Sequence, residues 1–168
     1  MNYHNITHDD MSNGDGLRVV LWVAGCNHHC KDCQNPVTWN PADGLPFSLK
    51  EKEEIYIELR KDYIAGITFS GGDPLHPANR AEVYDLMKAI KQDFPDKTIW
   101  VYTGYTWTEI EFNPVLYSMM EFVDVLVDGK FVDALKDVTY PWAGSINQKV
   151  IDVQKTIKEG RVILHESH

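Results

Sequence analysis

Leu17-Arg18-Val19-Val20-Leu21-Trp22-Val23 runs straight into Ala24-Gly25-Cys26-Asn27-His28-His29-Cys30-Lys31-Asp32-Cys33. The first part is a near-continuous apolar run, the pattern of a strand buried on both faces of a parallel sheet. The second part holds all 3 cysteines of the 168-residue chain. Their spacing lets three thiolates converge on one metal site and leaves that site one ligand short. An open coordination position is where a metal centre does chemistry.

Outward from this stretch the elements alternate. Ser48 and Glu51 form a capping box, and the helix after them places Ile55, Tyr56, Leu59 and Tyr63 on one face. A short strand over 67–70 ends in Gly71-Gly72. Asn79 and Glu82 open a second helix, whose Val83, Leu86, Met87 and Ile90 have helical spacing and which Pro95 stops. A strand over 99–102 ends at Thr103-Gly104. Ile110, Leu116 and Met120 mark a helical region, and a strand over 123–127 ends at Asp128-Gly129. Weaker signals over 150–153 and 161–164 predict short strands. No repeat or low-complexity segment interrupts the pattern.

This β–α alternation predicts one α/β domain over residues 1–168, built on a parallel sheet with right-handed crossovers. In such a sheet the segments that follow the strands share one edge, and ligands bind at that edge. The cysteine loop, Gly71-Gly72, Thr103-Gly104 and Asp128-Gly129 are therefore expected to surround one site.

A net charge of −9 argues against a nucleic-acid partner, which needs a basic face. No apolar run approaches the ~20 residues of a membrane span, and Met1-Asn2-Tyr3-His4-Asn5 lacks the basic and apolar regions of a signal peptide. Clustered cysteines in odd number do not suit a disulfide framework, so the cytoplasm is the expected location. The acidic stretch from Glu109 to Asp137 reads as a solvated face or a docking surface. The five tryptophans read as packing, His28 and His29 as loop or surface residues, and His76 as a loop residue near the site.

For the cysteines themselves three readings stand. Three thiolates and one histidine make a structural zinc site, although a second cysteine pair is lacking and His28 or His29 would sit awkwardly between two ligands. Three buried thiols are the second reading. An iron–sulfur cluster normally takes four thiolates, so three would leave one iron open to an exogenous ligand.

Cys26-x₃-Cys30-x₂-Cys33 after the first strand, with Ser70-Gly71-Gly72-Asp73-Pro74 after the second, resembles the radical S-adenosylmethionine enzymes. The finer resemblance is to the activating proteins of anaerobic (class III) ribonucleotide reductases. It rests on Asn13-Gly14-Asp15-Gly16, Thr38-Trp39-Asn40, Trp100-Val101-Tyr102-Thr103-Gly104-Tyr105, Asp124 through Phe131 and Gly144-Ser145-Ile146-Asn147-Gln148, and spans about Met1 to Ile151.

The resemblance implies a partial (β/α)₆ barrel, with an abbreviated C-terminus, that carries a [4Fe–4S] cluster on Cys26, Cys30 and Cys33. It implies that S-adenosylmethionine binds the open iron through its amino and carboxylate groups, and that one-electron cleavage gives methionine and a 5′-deoxyadenosyl radical. The implied substrate is a glycine of the large subunit of the anaerobic reductase. A flavodoxin-type electron donor and a homodimer in complex with the reductase are further expectations.

By the same resemblance Gly71, Gly72 and Pro74 bound the methionine end of the cofactor and Asp73 accepts from its ammonium. Gly71-Gly72 also reads as a plain turn. Thr103 meets the ribose hydroxyls or acts as a cap. Asp128 and Lys130 end the fourth strand, where Lys130 neutralises the cofactor carboxylate or is simply solvated. Asp32, Cys33 and Gln34 line the adenine. The chain departs from the family pattern at Asp15, Asp32, Gln34 and Ala143, none of them a cluster ligand. Two other functions compete: activation of another glycyl-radical enzyme such as pyruvate formate-lyase, and a non-catalytic zinc-binding module.

Overall fold

A computed structural model describes residues 1–28 and 39–166. Cys30, Asp32, Cys33, Gln34, His29 and Thr38 lie outside the described residues. The chain forms β1 (Asn2–Asp10), β2 (Leu17–Val23), β3 (Leu45–Pro46), α1 (Leu49–Leu59), β4 (Ile64–Gly71), α2 (Arg80–Asp93) and β5 (Thr98–Tyr102). It continues through α3 (Trp107–Glu111), α4 (Pro114–Met119), β6 (Val125–Asp128), β7 (Lys149–Asp152) and α5 (Val153–Glu159). All strands join one sheet in the order β3-β1-β2-β4-β5-β6-β7.

The centre of the sheet, β2-β4-β5-β6, is parallel as the alternation predicts. Its flanks are antiparallel: β1 pairs with β2 and β3, and β7 with β6. The sheet is therefore mixed and open, with four parallel strands among the described residues. β1 escapes the sequence pattern because only Tyr3 and Ile6 of Asn2–Asp10 are buried, so no apolar run marks it.

Alternation along the central strands gives the sheet two unlike faces. Val19, Leu21, Val23, Ile67, Phe69, Ile99, Val101 and Leu126 pack with Ile55, Leu59, Val83, Met87 and Ile90 from the helices. Each such side chain contributes roughly 1.5–3 kcal/mol when fully buried. The opposite face carries Arg18, Thr68, Trp100, Tyr102, Val125 and Val127, with Trp142 and Val150 against them. Trp100 and Trp107 are core residues, as their packing role predicts.

Several boundaries move. Tyr63 lies beyond α1 and is exposed. The helical region over 110–120 breaks into α3, α4 and a 3₁₀ turn, because Asn113 caps a new start with Pro114 in its first turn. Of the weak C-terminal signals, the first is β7 and the second is a single bridge between Leu164 and Ile151. No helix among the described residues is long and apolar enough to cross a membrane.

Candidate functional site

Hydrogen bonds link all four turns at the C-terminal edge of the parallel strands. Asp73 N donates to Gly25 O (2.6 Å), and Gly72 N to Val23 O (2.8 Å), which ties the turn after β4 to the start of the cysteine loop. Thr103 N donates to Val127 O (3.0 Å), and Gly129 N to Tyr105 O (2.9 Å), which ties the turns after β5 and β6. The Asp73 carboxylate connects the two halves. The four turns thus share one edge, as their order in the chain predicts.

Asp73 is 1% exposed and accepts from four groups. Leu75 N donates to Oδ1 (2.9 Å) and Gly104 N to Oδ2 (3.0 Å). The Thr103 hydroxyl is shared between both oxygens at 2.9 Å. His28 Nε2 completes the set at 2.7 Å from Oδ2. A carboxylate offers about four acceptor sites, so this one is filled by its own chain. The Thr103 hydroxyl in turn accepts from Tyr105 N (3.2 Å). Both residues that the resemblance assigned to cofactor contacts thus hold turns together here.

Gly71 has φ +105°, and a Cβ there would lie 2.5 Å from both the N and O of Val23. The close approach it permits is to β2. Gly25, at φ +106°, turns the chain out of β2 into the cysteine loop, and Cys26 N donates to Trp39 O (2.9 Å), so the two ends of that loop are held together. Pro74 is buried beside Asp73.

Asp128 is buried and takes no part in this cluster. Its Oδ2 accepts from Trp107 N and its Oδ1 from Lys149 N, both at 2.8 Å. It starts α3 and fastens β7. Asp128→Ala should lower the stability of the metal-free protein by about 2 kcal/mol, because two amides inside the fold lose their acceptor. Urea unfolding checks this; a residue that served only the cofactor would leave the metal-free midpoint unchanged. Lys130 is exposed, and its carbonyl accepts from Asn147 Nδ2 (2.9 Å).

Sequence reasoning placed His28 in a loop but missed its burial. Its side chain is 8% exposed and stacks edge-on with Tyr105, centroids 4.7 Å apart. His76, expected near the site, bridges to Asn27 Oδ1 (3.1 Å), and burial lowers its pKa. Asn79 does not cap α2 with its side chain; Nδ2 donates to Ala24 O (2.8 Å) and Asp73 O (3.1 Å). Gln148 Oε1 accepts from Gly144 N and Ser145 N while its Nε2 donates to Gly129 O, which orders the segment after β6.

That segment, with Asn13, Trp22, Ser70, Gly71 and Tyr102, walls an open cavity of about 580 Å³ on the second face of the sheet. Its volume falls in the usual range of small-molecule sites, roughly 300–1,000 Å³. Gly71 belongs to both the cavity wall and the turn after β4, the turn that Asp73 N ties to Gly25 O at the start of the cysteine loop. Of the three cysteines, Cys26 lies at this edge, and Cys30 and Cys33 lie outside the described residues. Three thiolates are a soft donor set that fits an iron–sulfur cluster.

Comparison with known proteins points to an iron–sulfur cluster. Residues 12–151 match the family model of a 4Fe-4S single cluster domain. The chain is 43% identical over 150 residues to the anaerobic ribonucleoside-triphosphate reductase-activating protein of Enterobacteria phage T4, covering 89% of this chain and 93% of that one. The proteins of the same name from Escherichia coli K12 (43% over 152 residues, 89% and 97%) and Pasteurella multocida (41% over 150 residues, 88% and 95%) are similarly close. The chain belongs to the family of anaerobic ribonucleoside-triphosphate reductase-activating proteins.

Proposed function

We propose that this chain is a radical S-adenosylmethionine activase that installs a glycyl radical on an anaerobic ribonucleotide reductase. The observation that carries this reading is a ligand-sized cavity walled by Gly71, in the turn that Asp73 N ties to the start of the cysteine loop, in a chain whose relatives bear that activating name. Cys26, Cys30 and Cys33 would hold a [4Fe–4S] cluster, and the cavity would receive S-adenosylmethionine. Together, when bound, these groups supply one-electron cleavage of a sulfonium carbon–sulfur bond and hydrogen abstraction from glycine.

The chain's own contribution is placement. Gly71 lines the cavity by backbone alone, Gly72 would let backbone approach the methionine end, and Asp32, Cys33 and Gln34 would line the adenine. Trp22, Tyr102 and Trp142 give the cavity an aromatic wall that excludes water from a reactive carbon centre. The open sheet would serve as the partial (β/α)₆ barrel, and a flavodoxin-type donor would supply the electron. We place the protein in the cytoplasm, as a homodimer when complexed with the reductase.

The reductase is preferred over another glycyl-radical enzyme because relatives matched over 93–97% of their lengths carry the reductase in their names. The test is to mix the anaerobically reconstituted, reduced protein and S-adenosylmethionine with an anaerobic reductase. A glycyl doublet in the electron paramagnetic resonance spectrum is expected. A doublet that appears only with pyruvate formate-lyase would move the target, and absence of 5′-deoxyadenosine would end the enzyme reading.

A further inference from the structure

Asp73 and His28 stand 45 residues apart in sequence and 2.7 Å apart in space. His28 follows Cys26 by two residues and precedes Cys30 by two. Its ring is held by two partners and fits against a third residue that has no side chain. Asp73 Oδ2 accepts from Nε2, which fixes the tautomer, since a carboxylate takes but does not give the proton. Tyr105 packs edge-on at 4.7 Å. Gly104 leaves the third side open, and a Cβ there would lie 2.3 Å from the imidazole. Asp73 is itself held by Thr103 and by the amides of Gly104 and Leu75. The start of the cysteine loop is therefore anchored through one histidine to the turns after β4 and β5.

We propose that His28 is a positioning residue: through Asp73 it sets the orientation of the cysteine loop, and so of the cluster, relative to the cofactor cavity. This rests on the iron–sulfur reading above. The same observations change the part played by Asp73. With its acceptor sites filled by Leu75, Thr103, Gly104 and His28, it serves as the anchor for His28, and the ammonium of the cofactor is left to other acceptors. A ligand-bearing loop tethered by hydrogen bonds behind the ligands is a recurrent device, and loss of such a tether typically weakens binding at the centre about 10–100-fold.

The test uses reconstituted wild type, His28→Ala, His28→Gln and Gly104→Ala. His28→Gln keeps an N–H where Nε2 stands. Gly104→Ala leaves His28 intact but forces its ring off Asp73, and so covers the case in which His28→Ala does not fold. All four should take up iron, because no cysteine changes. His28→Ala and Gly104→Ala should bind S-adenosylmethionine at least about tenfold more weakly. They should also lose the change that it causes in the spectrum of the reduced cluster, and His28→Gln should restore most of both. Wild-type affinity and spectrum in His28→Ala or Gly104→Ala would overturn the inference, as would a His28→Gln no better than His28→Ala. Failure of wild type itself to take up iron would overturn the iron–sulfur reading, and this inference with it.

Discussion

Cys26→Ala, reconstituted without oxygen, should hold only a small fraction of the wild-type iron and make no 5′-deoxyadenosine above background. A [4Fe–4S] cluster needs its thiolates, and this chain has three with none in reserve. Removing one leaves two, and alanine offers no donor. The fold should survive, because Cys26 closes its loop through a backbone bond from its amide to Trp39 O, and Gly25 O still accepts from Asp73 N. The metal-free variant should therefore unfold at the wild-type midpoint. Iron analysis, product chromatography and urea unfolding of the metal-free protein check the three parts. Cys30→Ala and Cys33→Ala should behave alike. A full cluster with wild-type cleavage in any of the three would remove that residue from the ligand set. Air should do to the wild type what these substitutions do, because a cluster with one iron lacking a cysteine is open to oxygen.

The parts of this fold that sequence disclosed are those where one local signal decides. The strands of the parallel centre are apolar enough to stand out, and each ends in a turn marked by glycine at Gly25, Gly71, Gly104 or Gly129. Order alone then put those turns on one edge, and the hydrogen bonds from Gly25 O through Asp73 and Thr103 to Gly129 N show them there. The antiparallel flanks were illegible for the opposite reason. An edge strand such as Asn2–Asp10 buries two side chains, and its partner is chosen by distant pairing. The direction of β7 is likewise a tertiary fact.

Within the site, residue type was legible and the hydrogen-bond partners were not. Asp73, Thr103 and Asp128 are polar residues at strand ends, and the resemblance gave them a ligand to hold. Burial gave them the chain itself. Whether a carboxylate at a turn faces a cofactor or amides depends on which N–H groups approach it. For Asp73 these come from residues 2, 31 and 45 positions away. Nothing at position 28 announces that partner. The nearest signal is Gly104, whose missing side chain makes room for the ring, and it is read only once the two are seen together.

Arg18→Met should cost about 3 kcal/mol of stability in the metal-free protein, one of the largest losses available to a single substitution outside the apolar core. The position reads as one polar letter in the apolar run 17–23, yet its side chain is fully buried. Nε donates to Thr68 Oγ1 (2.9 Å), Nη1 to Asp15 O (3.0 Å) and Thr98 Oγ1 (2.8 Å), and Nη2 to Ile67 O (2.9 Å) and Thr98 O (2.7 Å). The guanidinium also lies over the Trp100 ring, 5.6 Å from its centroid. It thereby joins β2, β4, β5 and the turn after β1 beneath the cavity. Burial opposes its charge, lowering the pKa from the usual guanidinium range to about 10, with Asp124 and Asp15 pulling the other way. The unfolded chain therefore holds this proton more tightly than the folded one. That penalty is complete below about pH 10 and fades as the pH rises from there towards the ordinary guanidinium value, so it is constant near neutrality. Against it stand five charge-assisted bonds, each worth roughly 1.5–3 kcal/mol. Methionine fills much of the volume but takes a charged donor away from three carbonyls and two hydroxyls. Arg18→Lys should also be destabilised, since one ammonium cannot reach acceptors spread over a planar fork. Urea unfolding at pH 6 and pH 8 should show the same loss for Arg18→Met at both. An unchanged midpoint would mean that the buried charge and its hydrogen bonds cancel, and that the strands are held by their apolar face alone.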